Sequence, residues 1–309
     1  MKIAGVTLCF NESNMIKYVM PYWDRIKPDK LIVYDNMSTD NTVELLKQYP
    51  YVEVRTFDTG GKFCDKTNSK IKTETCAELK KAGYDWIYSG DFDEVIYSFN
   101  PDFRAELKKI EDLGGNVFVR DLVHPFSPEP YEFDETKLIH EQLTHFLTWH
   151  DYTNKWGGSK TILHKGDGIA KIRYADGQHS CSLKSNGTEI KLFGYPFIAF
   201  HLKFVDFGSL EKNSYLKHER IQWRTFEPNA SVVTISHLRK HYAETCGKEK
   251  ILEKIEYLLK KCDRIKDWTW EDFLKRYNSE LFLVSSVKFK KDEDIKSLDY
   301  SSLDLTQFI

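Results

Sequence analysis

Two hydrophobic periods alternate between residues 3 and 89, and this alternation constrains the fold more than any other feature of the sequence. Continuous apolar runs, typical of buried strands, occupy residues 3–10, 31–34, 52–57 and 85–89. Between them, apolar side chains recur every three or four positions, and the helices predicted from this spacing cover residues 15–26, 41–46 and 71–79. Three strand–helix units closed by a fourth strand predict an α/β protein, with a mostly parallel sheet and helices on both faces.

Polar residues stand directly after three of the four predicted strands. They are Asn11 and Glu12 after the first strand, Asp35 and Asn36 after the second, and Asp91 and Asp93 after the fourth. In open α/β sheets, ligands bind at the carboxyl ends of the strands. The sequence therefore predicts a ligand site at this edge of the sheet.

The segment Asp91-Phe92-Asp93-Glu94 carries the most chemistry at that edge. On an extended chain, Asp91 and Asp93 would point the same way, with Phe92 opposite. Two carboxylates on one side suit Mg²⁺ or Mn²⁺, hard cations that bind oxygen and can bridge to a diphosphate. The alternative is a solvated turn in which one acid caps the next element.

The second strand leads into Asp35-Asn36-Met37-Ser38-Thr39-Asp40-Asn41. Helix capping accounts for the end of this segment, because Asn41 and Glu44 have the spacing of a capping box. Asp35 and Asn36 are not needed for that cap. Their side-chain oxygens are able to accept hydrogen bonds from a nucleotide base.

Together these segments resemble the family 2-type glycosyltransferases with the GT-A fold, in the branch whose motifs read roughly NE, DNxSTD and DxDE. The resemblance covers about the first 100 residues, and it implies transfer of a sugar from a nucleotide diphosphate donor, aided by Mn²⁺ or Mg²⁺. It implies that Asn11, Glu12, Asp35 and Asn36 bind the nucleotide. Many relatives have two aspartates where this chain has Asp35-Asn36, so the identity of the nucleotide base is less constrained here. A UDP-sugar is the favoured donor.

The resemblance also implies that Asp91 and Asp93 serve the ribose, the metal and the diphosphate. The remaining metal ligand is expected from the second half of the chain, where His179 and His201 are the candidates; the alternative is an ordinary core or surface histidine. Lys160 and Lys203 are candidates to approach the diphosphate.

An inverting transfer needs a carboxylate that takes the proton of the acceptor hydroxyl. Family members often carry an acidic pair just before a helix of the acceptor half. Asp134-Glu135 precedes a helix predicted over residues 137–149, so Glu135 is our candidate base. The other candidates are Asp121, Glu129, Glu141 and Asp176.

The second half is less regular than the first. Predicted strands cover residues 117–123, 160–165, 171–174 and 197–204, and residues 124–130 are predicted to form a loop. We expect residues 1–100 to be the nucleotide-sugar half and residues 101–235 the acceptor half of one GT-A domain, followed by a helical C-terminal extension over residues 236–309.

Composition excludes several other classes of protein. With 41% apolar and 30% charged residues and a net charge of −2, the chain can bury a core, yet it lacks the basic excess of a nucleic-acid binder. No window approaches the roughly 20 apolar residues that cross a bilayer. The six cysteines contain no CxxC pair, which favours reduced thiols in the cytoplasm.

The segment 248–266 is predicted to be a basic amphipathic helix. Such a helix can lie on an anionic surface, which would place the protein at the inner face of the plasma membrane. The alternative is an apolar stripe packed on the domain with a solvated charged face. Composition and motifs leave the oligomeric state undetermined.

The expected function is transfer of a sugar to a glycan or a lipid-linked acceptor in surface polysaccharide synthesis, with inversion at the anomeric carbon. One alternative is a sugar-nucleotide nucleotidyltransferase, but the glycine-rich loop of that class is replaced here by Phe10-Asn11-Glu12-Ser13-Asn14. Another is a non-catalytic homologue that binds a nucleotide or glycan, although the presence of both Asp91 and Asp93 opposes it.

Overall fold

The computed structural model describes residues 1–60, 64–129, 131–148, 159–175, 178, 181–194, 197–208, 210–211, 247–262 and 285–287. Its helices are α1 (Ser13–Ile26), α2 (Thr42–Leu46), α3 (Asp65–Lys81), α4 (Phe103–Asp112) and α5 (Lys248–Cys262), with 3₁₀ turns at Ile139–Glu141 and Leu202–Phe204. Its strands are β1 (Ile3–Cys9), β2 (Lys30–Asp35), β3 (Val52–Thr56), β4 (Trp86–Ser89), β5 (Glu94–Ser98), β6 (Val117–Phe126), β7 (His145–Thr148), β8 (Ser159–Lys165), β9 (Ile169–Tyr174), β10 (Cys181–Ser185), β11 (Ile190–Phe193), β12 (Phe197–His201) and β13 (Ser285–Val287).

The first half of the chain forms a parallel sheet in the order β3–β2–β1–β4. Alternate side chains of its strands face opposite sides. Leu31 and Val33 pack with the apolar stripe of α1, whereas Val6 and Ile32 pack with Cys76 and Leu79 of α3. Helices therefore cover both faces of this part of the sheet, and the α/β class is confirmed.

The second half continues the same sheet in mixed orientation. Strand β8 lies antiparallel between β4 and β6, and β11 pairs parallel with β6. A branch of the sheet is formed by β12, which pairs antiparallel with β5 and parallel with β6. The two predicted halves of the chain thus share one continuous sheet.

Two local expectations about residues 124–149 are wrong. Residues 124–126 continue strand β6 and pair with β7, and the predicted helix over 137–149 is replaced by a 3₁₀ turn and by β7. Residues 145–148 form a strand because β6 supplies a pairing partner about 20 positions earlier in the chain, and such non-local pairing overrides local helical spacing.

The start of α2 also differs from the expected capping box. Asn41 occupies the N-cap position without a side-chain cap bond. Asp40 takes that role instead, because its Oδ1 accepts the backbone N–H of Thr42 at 3.0 Å.

Helix α5 packs an apolar stripe on the domain. Its Ile251 and Leu258 are buried in a cluster with Phe126, Leu147 and Phe204. This packing accounts for the apolar spacing of the segment. None of the helices in the described ranges has the length and apolar character that crossing a bilayer would require.

The turn between β8 and β9 provides a test of packing near β4. A Cβ on Gly166 would overlap the backbone carbonyl oxygen of Tyr84, an atom that cannot move without shifting the sheet. We therefore expect Gly166→Ala to lower the free energy of unfolding by about 2 kcal/mol in urea denaturation, as overpacking does. Gly208→Ala is the control, because its Cβ would meet its nearest neighbour at 3.4 Å. Equal stability of the two variants would contradict this packing.

Candidate functional site

Hydrogen bonds between two turns shape the edge of the sheet where β1 and β2 end. Asn11, at a φ of 55°, accepts the backbone N–H of Thr39 through its Oδ1 at 2.8 Å, and its own backbone N–H donates to Ser38 Oγ at 2.8 Å. The backbone N–H of Glu12 donates to Thr42 Oγ1 at 2.8 Å. The turns after β1 and β2 are therefore held together as one rigid surface.

Asp35 and Asn36 lie beneath this surface, and both are buried. Asp35 Oδ2 accepts the backbone N–H of Ser38 at 3.0 Å, and Asp35 Oδ1 lies 3.7 Å from the Cys9 thiol. Asn36 Nδ2 donates to Thr59 Oγ1 at 3.1 Å, which ties the turn to the segment after β3. Both side chains thus help to build the turn.

Asp40 completes the connection between the two turns. Its Oδ2 accepts the backbone N–H of Ser13 at 3.3 Å. Burial would raise the pKa of this carboxyl, but the hydrogen bonds from Thr42 and Ser13 outweigh burial and lower the pKa.

Asp91 and Asp93 lie in a turn between β4 and β5, where the sequence predicts an extended segment. The backbone N–H of Glu94 donates to the carbonyl oxygen of Asp91 at 3.1 Å, which closes the turn. The alternation argument therefore does not apply to this segment. The two carboxylates have different partners, and they differ chemically.

Asp91 is held by two lysines. Its Oδ1 lies 2.6 Å from Lys72 Nζ on α3, and its Oδ2 lies 3.0 Å from Lys160 Nζ on β8. Both lysine side chains are only 4% exposed, and Lys160 also pairs with the fully buried Glu94. The Asp91 side chain itself is about half exposed (49%), so one edge of this carboxylate faces solvent while both its oxygens meet ammonium groups.

The charges of this cluster stabilise one another. Burial alone would raise the pKa of Asp91, but the ammonium groups of Lys160 and Lys72 hold it well below its usual range. For Lys160, burial would lower the pKa, but the carboxylates of Asp91 and Glu94 raise it. Asp91 and Lys160 therefore each stabilise the charged form of the other.

Asp93 pairs with His201. Its Oδ2 lies 3.1 Å from His201 Nε2, and the two side chains are 25% and 19% exposed. Pairing of β12 with β5 sets His201 opposite Glu94, and the backbone N–H of Leu202 donates to the Asp93 carbonyl at 2.7 Å. One carboxylate oxygen and one imidazole nitrogen, both able to bind a metal ion, thus meet at a partly exposed surface.

In the described part of the chain, Asp93 and His201 are not joined by a third side chain arranged to hold a metal ion with them. Within the described ranges, no group of three or more His, Cys, Asp or Glu side chains is arranged to hold a metal ion. His124, next to His201 with ring centroids 4.9 Å apart, is buried, and burial lowers its pKa well below the usual range. His179 lies outside the described residues.

The candidate bases lie elsewhere on the chain. Glu135 is exposed in the turn before the first 3₁₀ helix. Its neighbours Asp134 and Glu141 are engaged locally: Asp134 accepts the N–H of Thr136, and Glu141 accepts the N–H of Leu138. Glu129 is exposed, whereas Asp176 and the side chain of Asp121 lie outside the described residues.

Two residues of the site, Lys72 and Gln178, are missing from the sequence prediction. Lys72 could have been found, because it stands four and seven positions before Cys76 and Leu79 and so shares the buried face of α3. A lysine on such a face needs a counter-charge. Gln178 has no comparable signal in the sequence, because its side-chain contacts are all distant along the chain.

Comparisons with known proteins add only weak likenesses. No family model matches the chain, and no curated protein matches it. A structure of TarS from S. aureus is 13% identical over 79% of this chain and 43% of that chain, with a TM-score of 0.38. The shorter TarS 1-349 structure is 12% identical over 91% of this chain and 79% of that chain, also at 0.38. The chain thus spans less than half of the longer TarS structure.

A further match is glucosyl-3-phosphoglycerate synthase from Mycobacterium tuberculosis, in complex with Mn²⁺, UDP and glucosyl-3-phosphoglycerate. It is 21% identical over 38% of this chain and 42% of that chain, with a TM-score of 0.23.

The difference between Asp91 and Asp93 can be tested by stability. Asp91→Asn removes a charge that faces two buried ammonium groups, so we expect a loss of about 3 kcal/mol in the free energy of unfolding. Asp93→Asn is the matched control: its contact with His201 is partly exposed, and the expected loss is below about 1 kcal/mol. Urea denaturation of both variants measures this. Equal losses would show that the lysines do not depend on Asp91.

Proposed function

We propose that the chain is a metal-dependent glycosyltransferase that moves a sugar from a nucleotide diphosphate donor, with a UDP-sugar favoured, to a hydroxyl of a glycan or lipid-linked acceptor with inversion. The observation that carries this proposal is the Asp93–His201 pair beside the lysine-bound Asp91, at the carboxyl ends of the strands. Ligands of open α/β sheets bind at this edge.

Asp93 and His201 would supply two of the ligands that a divalent cation needs. Carboxylate oxygen and imidazole nitrogen together suit Mn²⁺, and oxygen alone suits Mg²⁺. Asp93 and His201 would hold the ion, and the partial exposure of both leaves room for further ligands from a diphosphate. Such an ion supplies positive charge to the departing nucleoside diphosphate.

Asp91 has a different role in this proposal. Because both of its oxygens are bound to buried lysines, it is less suited than Asp93 to bind a metal. Its exposed edge instead presents acceptor lone pairs to the ribose hydroxyls of the donor. Lys160 is buried, so it acts on the donor through Asp91 rather than by direct contact.

The nucleotide would lie along the surface formed by the turns after β1 and β2. Asn11 and Glu12 shape one side of this surface, and Asp35 and Asn36 lie beneath it. Because the turns are cross-linked before any ligand arrives, little conformational freedom would be lost on binding.

Glu135 is our candidate for the general base that takes the proton of the acceptor hydroxyl. It is exposed, and the described part of the chain shows it no hydrogen bond or ion pair, in contrast to Asp134 and Glu141. A carboxylate in this state is available to accept the proton of an acceptor hydroxyl.

The metal and donor site is tested by thermal unfolding with UDP, GDP, CMP or ADP, each with Mn²⁺ or with EDTA. In the wild type, we expect one nucleotide to raise the midpoint only with Mn²⁺, since a ligand at 100 times its Kd adds about 2.7 kcal/mol to stability. His201→Ala and Asp93→Ala should each remove this metal-dependent shift. His145→Ala is the control, a half-buried histidine that contacts Thr144 and Phe126.

Three outcomes would contradict all or part of this proposal. A nucleotide shift that is the same in Mn²⁺ and in EDTA would remove the metal from the mechanism. A metal-dependent shift that persists in His201→Ala would remove this histidine from the set of ligands. Absence of any shift in the wild type would oppose the whole proposal.

The role of Glu135 as general base is tested by Glu135→Gln, which keeps the size of the side chain and removes its basicity. We expect kcat to fall by at least roughly 100-fold, with nucleotide binding unchanged. Glu132→Gln is the control, because it changes an exposed acid of the same loop. A normal rate in Glu135→Gln would move the search to the other candidate acids.

A further inference from the structure

Gln178 is a buried residue that neither the motifs nor the proposed function explains. It is 2% exposed, and its φ of 60° lies in the left-handed region that residues other than glycine seldom adopt. A conformation of this kind persists only where surrounding contacts hold it, and such contacts often serve a functional site.

The contacts of the Gln178 amide define its orientation. Nε2 donates to the carbonyl oxygen of Ser89 at the end of β4, to Ser89 Oγ at 3.3 Å and to the carbonyl oxygen of Thr161 at 3.5 Å. Because carbonyl oxygens only accept, the NH₂ group must face them. The oxygen of the amide therefore faces Lys72, with Oε1 2.7 Å from Nζ.

Lys72 thus lies between two acceptors, Gln178 Oε1 at 2.7 Å and Asp91 Oδ1 at 2.6 Å. Its side chain is almost fully buried, so solvent cannot replace a lost acceptor. Without the Gln178 oxygen, the ammonium group would have to move toward water to complete its hydrogen bonds. That movement would alter its contact with Asp91 Oδ1, which is 2.6 Å in this structure.

We propose that Gln178 is a positioning residue: it holds the Lys72 ammonium group against Asp91, and so fixes the Asp91 carboxylate in the orientation in which it meets the donor. The first part of this statement concerns the protein alone. The second part rests on the proposed function. Gln178 itself touches no reacting atom in this arrangement.

The chain offers a matched control for this contact. Ser69, also buried on α3, donates through Oγ to the carbonyl oxygen of Ala175 at 2.9 Å. This bond joins α3 to the end of β9, close in sequence to Gln178, but it does not involve Lys72 or Asp91. Ser69→Ala therefore reports what loosening this helix–strand contact does by itself.

The first measurement is the reactivity of Lys72 toward acetic anhydride, followed by mass spectrometry of its peptide at a temperature well below the unfolding midpoint of each variant. We expect the rate of modification to rise roughly tenfold in Gln178→Met, because a hydrogen bond to a charged group is lost. Ser69→Ala should stay near the wild type, because it leaves both acceptors of Lys72 in place. A rate unchanged in Gln178→Met, or raised equally in Ser69→Ala, would overturn the proposal.

The second measurement is the Kd of UDP in the presence of Mn²⁺ by calorimetry. We expect binding to weaken about tenfold in Gln178→Met and to be unchanged in Ser69→Ala, since only the first variant weakens the hold of Lys72 on Asp91. If the wild type binds UDP and Gln178→Met binds it equally well, the link from Gln178 to the donor is wrong, although the proposed function stands. If the wild type binds no UDP, the proposed donor fails, and the Lys72 reactivity still decides whether Gln178 holds that lysine.

Discussion

Neutralisation of two buried ammonium groups governs how this end of the sheet can be built. Removing a lysine charge from water costs several kcal/mol unless a counter-charge and hydrogen-bond partners replace the solvent. Lys72 comes from a helix and Lys160 from a strand, and both meet the carboxylate of Asp91, with Glu94 completing the balance for Lys160. The structure at the end of β4 therefore depends on contacts from both α3 and β8.

This dependence explains why two neighbouring aspartates differ so strongly. Asp91 faces the sheet and meets the lysines, whereas Asp93, two residues later in the turn, faces the end of β12 and meets His201. A site that binds a metal and a nucleotide benefits from both kinds of carboxylate. One is held rigid by its own protein, and the other is accessible enough to exchange its partner for a ligand.

The sequence predicts the first half of the fold well because its signals are local. The strand and helix periods between residues 3 and 89 reflect burial on one or both faces of each element, and parallel pairing follows from their alternation. The second half depends on contacts between distant residues. The local sequence of β7 predicts a helix, but these residues form a strand because they pair with β6. The pairing of His201 with Glu94 joins segments over a hundred residues apart.

The candidate site shows the same division. The presence of Asp35, Asp91 and Asp93 at the edge of the sheet follows from the ends of the predicted strands, and His201 is one of the two histidines that the sequence offers as metal ligands. The partners of these residues could not be predicted in the same way. Whether Asp91 meets a lysine or solvent depends on the turn after β4, and Gln178 reaches the end of β4 from a connection far along the chain.

The turn after β2 illustrates how a structural role and a binding role can be compatible in one residue. Asp35 accepts hydrogen bonds from Ser38 and from the Cys9 thiol, but a carboxylate offers about four lone-pair sites, so the bonds within the turn do not exhaust its capacity. The same holds for Asn36, whose Nδ2 donates one of its two hydrogens to Thr59. What limits these side chains is access, because Asp35 is 3% exposed. A base that contacts Asp35 must therefore fit closely into the turn, and the cross-links from Asn11 and Glu12 keep that turn in one shape.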